Sequence, residues 1–439
     1  MSQQSIPGDA LAEMVRSALN NQPIVDMHTH LYPPTFGTPV VNATGRTDPS
    51  GSMLWGIDEL VTYHYLVAEV YRVVPATKLP YEQFWKMPKT QQADHIWKNL
   101  FVERTPISEA CRGVLTTLRL LGLDSNERSL DAYRPFFAQQ HPSKYIDRVM
   151  EIANISSITM TNPVFDDNER DRWLKNPALA TDSRFKSVLR IDPLIRAWPT
   201  AAARLGEWGF KVAEEITTSA IEEVRRFLRE WIDRQKAIYL AVSLPPEFRY
   251  PAGSNPVEMA GQTILEKAIL PVCAERGLPF AMMIGSRLRV NPELRDAGDM
   301  CGKSDISAVV NLCREFPGSK FFVTMLAREN QHELCVAARK FGNLMVFGCW
   351  WFLNNPSLIE EIERMRIELL GTSFIPQHSD ARILDQLIYK WHHSRQILAK
   401  VLTDKYSDLM DTGRHVTTEE IQRDLRLMLK ENFLSFLSR

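Results

Sequence analysis

The stretch PIVDMHTHLYP (Pro23–Pro33) decides how the rest of the chain is read. Ile24 and Val25 lead into His28 and His30, with Asp26 two residues ahead of the first histidine. In an extended strand successive side chains alternate faces. Asp26, His28 and His30 therefore point the same way, the two imidazoles roughly 7 Å apart along the backbone. At the C-terminal end of a barrel strand that direction is the mouth, where the active sites of such barrels lie. Taken alone, H-x-H is more often a pair of buried or capping histidines than a metal site. What the remaining chain offers as partners decides between the two.

Seven more short, β-rich apolar runs follow: SSITMTNPVF (156–165), KSVLRIDPL (186–194), AIYLAVSLP (237–245), PFAMMIG (279–285), KFFVTML (320–326), LMVFGCWWF (344–352) and SFIPQHSD (373–380). Helical patterns such as IEEVRRFLREWIDRQ and DISAVVNLCREF stand between most of them. Continuous apolar runs alternating with helices indicate parallel strands covered on both faces, and eight such units predict a (β/α)8 TIM barrel. A doubly wound open sheet is the alternative, but no glycine-rich phosphate turn follows any run. The gap between the first and second runs is far longer than the others and reads as helical, with GIDELVTYHYLVAEVYRVV among its segments. The expected organisation is a barrel formed by 1–50 and 151–439, with 51–150 as a helical insertion over the active-site face. The tail is also helical, with Thr417 or Thr418 as N-cap of TEEIQRDLRLMLKENFLSFL.

Composition sets the class. The 439 residues are 44% hydrophobic and 24% charged with a net charge of −1, ordinary for a globular enzyme and without a basic footprint for nucleic acid or a membrane surface. No apolar run approaches the length of a membrane span, and the N-terminus lacks the charged and apolar regions of a signal peptide. Six dispersed cysteines form no C-x-x-C pair, which suggests free thiols in a reducing compartment. A cytoplasmic, soluble protein is expected.

The partner for the histidines comes from the eighth run. FIPQHSDAR places Asp380 at the end of an apolar run, and the first and eighth strands of a barrel are neighbours across the closing seam. His28, His30 and Asp380 can then meet one metal ion. Two histidines and a carboxylate leave positions open for water or substrate, as a catalytic site requires. The competing role for Asp380 is a cap for the helix that DARILDQLIYKW begins.

An H-x-H on the first strand with an aspartate on the eighth resembles the amidohydrolase superfamily, and the chain is more closely similar to its uronate isomerase (glucuronate isomerase) family. The resemblance spans nearly the whole chain and is carried by HTHL at 28–31, HY at 64–65, LRIDP at 189–193, WWF at 350–352 and SDAR at 379–382. Binuclear members of the superfamily carry a lysine on strand four and histidines on strands five and six. Here AIYLAVSLP has no lysine, KFFVTML has no histidine, and Met283 stands where the family usually has the histidine of an HIG triplet. The site is therefore expected to be mononuclear. Imidazole and carboxylate ligands suit one divalent ion, zinc first, with manganese or iron also compatible.

The resemblance implies interconversion of D-glucuronate with D-fructuronate, and of D-galacturonate with D-tagaturonate, by proton transfer from C2 to C1 through a cis-enediol. Such chemistry needs a base, an acid and a group to hold enediolate charge. Tyr65 is a candidate base if a nearby cation lets it ionise below its usual value of about 10. His64 could bind a substrate hydroxyl or shuttle a proton. Both can reach one substrate only from a helix end, because adjacent helical residues do not share a face. Asp380 could accept the ring-hydroxyl proton. Arg382 or Arg190 could clamp the substrate carboxylate, although Arg190 could equally pair with Asp192. Of Trp350 and Trp351, one, taken as Trp351, would wall the sugar pocket while the other fills the barrel exterior. His332, His378, His392 and His393 are expected to be structural or superficial. A small-molecule uronate and further copies of the chain, as a homo-oligomer, are the partners implied, with no nucleic acid and no membrane. Two other functions remain open: a mononuclear hydrolase or decarboxylase of the superfamily, and a non-catalytic sugar-acid-binding homologue.

Overall fold

β-Branched, aromatic and methionine-rich runs become strands here because both of their faces are covered. In the computed structural model, which describes residues 8–176 and 178–439, most strand residues are shielded from solvent. Seven strands form one parallel sheet: β1 (Ile24–Thr29), β2 (Ile155–Pro163), β3 (Phe185–Arg190), β4 (Leu240–Leu244), β5 (Phe280–Ile284), β8 (Phe321–Met325) and β9 (Leu344–Val346), in that spatial order. Between β5 and β8 in sequence lies a two-stranded antiparallel ribbon, β6 (Ser286–Arg287) with β7 (Met300–Cys301), which the sequence did not announce. The whole is a mixed α/β fold with a curled, barrel-like parallel sheet.

The eighth run is not a regular strand. Only Ile375 makes a bridge, to Phe347, while Gly348 N donates to Ile375 O at 2.8 Å. On the other side Asp380 N donates to His28 O at 3.1 Å and His30 N to Ala381 O at 2.7 Å. The segment thus links β9 to β1 through a few bonds rather than a ladder. Two residues explain this. Pro376 removes a ladder donor, and Asp380 takes the left-handed conformation at φ 50°, which ends the extended run. Asp380 is not a helix cap, since the next helix, Gln386–Met410, has Asp385 at its N-cap.

Between β1 and β2 the chain forms helices Ile57–Val61, His64–Val73, Tyr81–Lys86, Lys89–Trp97, Glu109–Leu120, Arg134–Ala138 and Pro142–Ala153. The long helix Gln386–Met410 packs against Gly8–Asn21, Glu109–Leu120, Pro142–Ala153 and Pro356–Leu370, joining this region to the rest. Buried Asp385 completes the joint by accepting from Gly56 N at 2.7 Å and from Tyr145 Oη. In the tail, Thr417 and Glu420 form a capping box for helix Thr418–Arg426. Phe433 and Phe436 beyond it pack on Tyr239, Phe322 and Phe347 at the end of the sheet remote from the site. All six cysteines are free, and no described helix is long and apolar enough to cross a membrane.

Glu169 shows how tightly the end of β2 is sealed. It is buried and accepts from Asn162 Nδ2 at 2.6 Å and Tyr32 Oη at 2.8 Å. Burial nevertheless pushes its carboxyl up to about 8. The folded chain therefore holds a proton that the unfolded chain releases near 4.3, and this contribution to stability is lost as pH rises toward 8. Replacing Glu169→Gln should make the fall in Tm between pH 5 and 8 shallower than in the wild type; parallel Tm profiles for the two proteins would refute the assignment.

Candidate active site and metal centre

A cavity of about 230 Å³ opens where the strands of the sheet end. Its walls come from the C-terminal ends of β1 (His28, His30), β3 (Arg190), β4 (Ser243) and β5 (Met283), the Trp350–Trp351 turn after β9, and Asp380 and Arg382 of the closing segment. Tyr63 and His64 are added from the helical region between β1 and β2. The volume lies below the range of about 300–1,000 Å³ found for drug-sized ligands, so the site suits a small molecule.

Among the described residues, His28, His30 and Asp380 form the one cluster of metal-type donors, their ligand atoms all within 4.8 Å of one another. Nε2 of His28 lies 3.4 Å and Nε2 of His30 3.3 Å from the same oxygen, Asp380 Oδ1. Neither His28 Nε2 nor Asp380 Oδ1 makes a well-formed hydrogen bond, although both are buried. Buried polar atoms are ordinarily satisfied, so donors aimed at one point without partners fit a cation. Their protonation fits as well. Burial holds His30 down to about 4, so its ring is neutral. Burial alone would raise the Asp380 carboxyl, yet the two adjacent imidazoles hold it well below the usual carboxylate range. Thr161 Oγ1, 3.2 Å from His28 Nδ1, orients that ring with Nε2 toward the cluster.

Behind the donors is a scaffold of buried charge. Asp26 does not share the mouth with the histidines as strand alternation predicts. Its carboxylate turns to accept from Ser379 N at 3.1 Å and Trp391 Nε1 at 2.8 Å, because the closing segment leaves those donors unpaired beside β1. Lys390, also buried and lowered by burial to about 8, donates to Ser379 O at 2.5 Å. Arg366, with no solvent exposure, donates to Gly348 O at 2.7 Å and Pro376 O at 3.2 Å, and pairs with Glu363 at 3.2 Å. The backbone that leads into Asp380 is thereby held by two cations. His378, expected to be structural or superficial, is fully buried with its ring 5.3 Å from that of His28, and neither of its nitrogens has a partner.

The residues anticipated from sequence are distributed as follows. His64 lies at the start of helix His64–Val73, the helix end that shared access demands, and faces the cavity with an unpartnered Nε2. Burial, then Arg382, lowers its ring to about 3. Tyr65 does not line the cavity; Tyr63, the helix N-cap, does so instead. Nor does Tyr65 ionise readily, since its hydroxyl is buried without a partner and burial pushes it well above 10. Arg190 both lines the cavity and pairs with Asp192 at 2.5 Å. Arg382 lines the cavity and reaches Asp296 at 3.2 Å. Trp351 lines it with φ 47°, stacked on Phe352. Trp350 lines it as well and packs in the sheet interior, correcting the expected exterior position. Arg196, Ser243, Asp296 and Asp299 also line the cavity and were not anticipated. No local pattern distinguishes them from ordinary turn and helix residues. His392 contacts Arg119 and Gln396, and His393 bonds Glu109 and Thr116, both away from the site.

A curled parallel α/β sheet with a two-histidine, one-carboxylate cluster able to hold a metal ion at its strand ends is the architecture of an enzyme site. The chain is 51% identical to a uronate isomerase from Bacillus halodurans C-125, covering 99% of this chain and 98% of that one, with a TM-score of 0.92. It belongs to the uronate isomerase family. A uronate isomerase from Thermotoga maritima (TM-score 0.74, 99% and 100% covered) and a glucuronate isomerase from Caulobacter crescentus (0.75, 99% and 95%) share the fold at 14% identity. No family model and no curated protein matches the chain.

Two variants probe the centre. His30→Ala and Asp380→Asn should each lower bound metal from about one ion per chain to well under half, measured by elemental analysis after dialysis. Undiminished metal in both would dismiss the cluster. Gly348, at φ 66°, lies so close to the His378 ring that a Cβ would overlap Nδ1. Gly348→Ala should therefore cost about 3 kcal/mol in denaturant unfolding, from overpacking and backbone strain together. Gly122→Ala, at φ 82° in open space, should cost about 1 kcal/mol.

Proposed function

We propose that this chain is a uronate isomerase, interconverting D-glucuronate with D-fructuronate and D-galacturonate with D-tagaturonate. The observation that carries this is the convergence of His28, His30, Asp380, Arg382 and His64 on one small polar cavity in a chain half identical to a uronate isomerase. The fold is taken as a complete (β/α)8 barrel formed by 1–50 and 151–439, of which 1–7 and 177 lie outside the described residues, with 373–380 in the eighth strand position. Residues 51–150 are taken as a helical insertion that supplies Tyr63 and His64 to the mouth. The partner is a small sugar acid, without nucleic acid or membrane, and the compartment is the cytoplasm.

His28, His30 and Asp380 would hold one divalent ion, zinc by preference, which supplies Lewis-acid polarisation of substrate oxygens when bound. The chain's own groups divide the remaining work. Asp380, ionised and facing the cavity, accepts the anomeric hydroxyl proton as the C1–O5 bond opens and passes it to the departing ring oxygen, which leaves the carboxylate ionised for the next step. Proton acceptance at C2 and return at C1 fall to Asp380 and His64, the candidates that face the cavity in proton-accepting form. Tyr65 keeps its proton and does not face the cavity, so the base is sought among the other groups. Arg382, permanently charged, faces the oxygen on which enediolate charge develops, and Arg190 and Trp351 wall the substrate. Met283 presents a thioether where the family usually has an imidazole, which removes one hydrogen-bonding group from the sugar subsite.

Turnover of both aldouronates by purified protein tests the proposal. Wild type should yield the matching ketouronates. Arg382→Met should lower kcat by about 10²–10³-fold, the scale of a lost charge-stabilising donor. Absence of turnover on either uronate by fully metallated wild type would discard the function.

A further inference from the structure

The three arginines of the cavity are not equivalent. Arg190 is consumed within the protein: Nε donates to Asp192 at 2.5 Å and Nη2 to Ser243 Oγ at 2.9 Å. Arg382 reaches Asp296 at 3.2 Å. Arg196 is different. Its five N–H donors make one long bond, Nη1 to Ser243 O at 3.4 Å, and among the described residues no carboxylate lies within ion-pair distance of it. It lines the cavity and is only half-shielded, so a permanent cation faces the site with its hydrogen-bonding capacity almost unused.

Position sharpens the point. Arg190 and Arg196 both bond to Ser243, at the end of β4, whose backbone N–H is taken by Asp192. Two guanidiniums and one carboxylate leave one positive charge around Ser243. In the strand order, β4 lies three strands from β1, across the mouth from His28, His30 and Asp380. An open-chain hexuronate placed with C1 and C2 at the metal cluster extends its far end, C6, away from that cluster. C6 carries the carboxylate.

We infer that Arg196 receives the substrate carboxylate and is the main determinant of specificity for acidic over neutral sugars, with Arg190 a fixed wall held by Asp192. The inference rests on the uronate isomerase assignment for the nature of the ligand. Arg196 also borders an adjoining cavity of about 270 Å³, so shortening its side chain leaves no sealed void in the core.

The test compares two non-reacting ligands, L-gulonate and D-glucitol, which differ only in carrying –COO⁻ or –CH2OH at the far end. Binding to fully metallated protein is read by calorimetry alongside turnover of D-glucuronate. Wild type should prefer L-gulonate by at least about tenfold, the low end for a hydrogen-bonded charge. Arg196→Met should bring that ratio to within about threefold of unity and raise KM for D-glucuronate more than it lowers kcat. Arg196→Lys, which keeps charge but loses the planar fork, should fall between. Arg190→Met should weaken both ligands alike. A wild-type ratio retained in Arg196→Met, or one lost only in Arg190→Met, overturns the inference while leaving isomerase activity intact. Wild type that discriminates the ligands through Arg196 but turns over no uronate supports the carboxylate site and removes the isomerase assignment. Wild type that neither discriminates nor turns over removes both.

Discussion

The bond between Asp26 and the closing segment is the constraint on which the site depends. Asp26 on β1 accepts from Ser379 N and Trp391 Nε1 across 353 and 365 residues of sequence, while Lys390 holds the Ser379 carbonyl from the other side. A buried carboxylate and a buried ammonium are costly to desolvate and are tolerated only where hydrogen bonds complete their shells. Here they do so around one residue, Ser379, immediately before Asp380. Without that staple, the segment would depend beside β1 on two main-chain bonds, Asp380 N to His28 O and His30 N to Ala381 O.

The geometry of Asp380 follows. A non-glycine residue in the left-handed region carries a cost of order 1 kcal/mol or more and persists where its surroundings over-determine it, with aspartate among the residues that tolerate it best. The turn aims Oδ1 at both imidazoles and lets Arg382, two residues on, face the same cavity. Arg366 performs the matching task further back, bridging the carbonyls of Gly348 and Pro376. The centre is thus preorganised by buried hydrogen bonds to the main chain, so the donor set need not assemble when a ligand arrives.

Much of this was legible in the chain itself. Seven of the eight apolar runs became strands in the anticipated order, because strands buried on both faces must be apolar throughout. The H-x-H spacing placed two imidazoles on one side, and SDAR supplied the carboxylate and guanidinium. The eighth run failed as a strand because Pro376 and Asp380 act against pairing, and those features were visible but outweighed by its hydrophobicity. Tyr65 was the wrong member of a YHY triplet to face the mouth. A helix start turns through about 100° per residue, and one position decides between cavity and core.

Local chemistry determined by itself the period of the elements, the face shared by His28 and His30, and the presence of a carboxylate within reach of them. These depend on side-chain alternation and burial over a few residues, which sequence records directly. Tertiary structure alone decided that Asp26 turns away to hold Ser379, that Tyr63 rather than Tyr65 reaches the cavity, that His378 is buried beside His28, and that Arg196 meets Ser243 at the cavity wall. Each of these is settled by which groups meet across the curled sheet. Such pairings join residues from tens to hundreds of positions apart, and no local period encodes them.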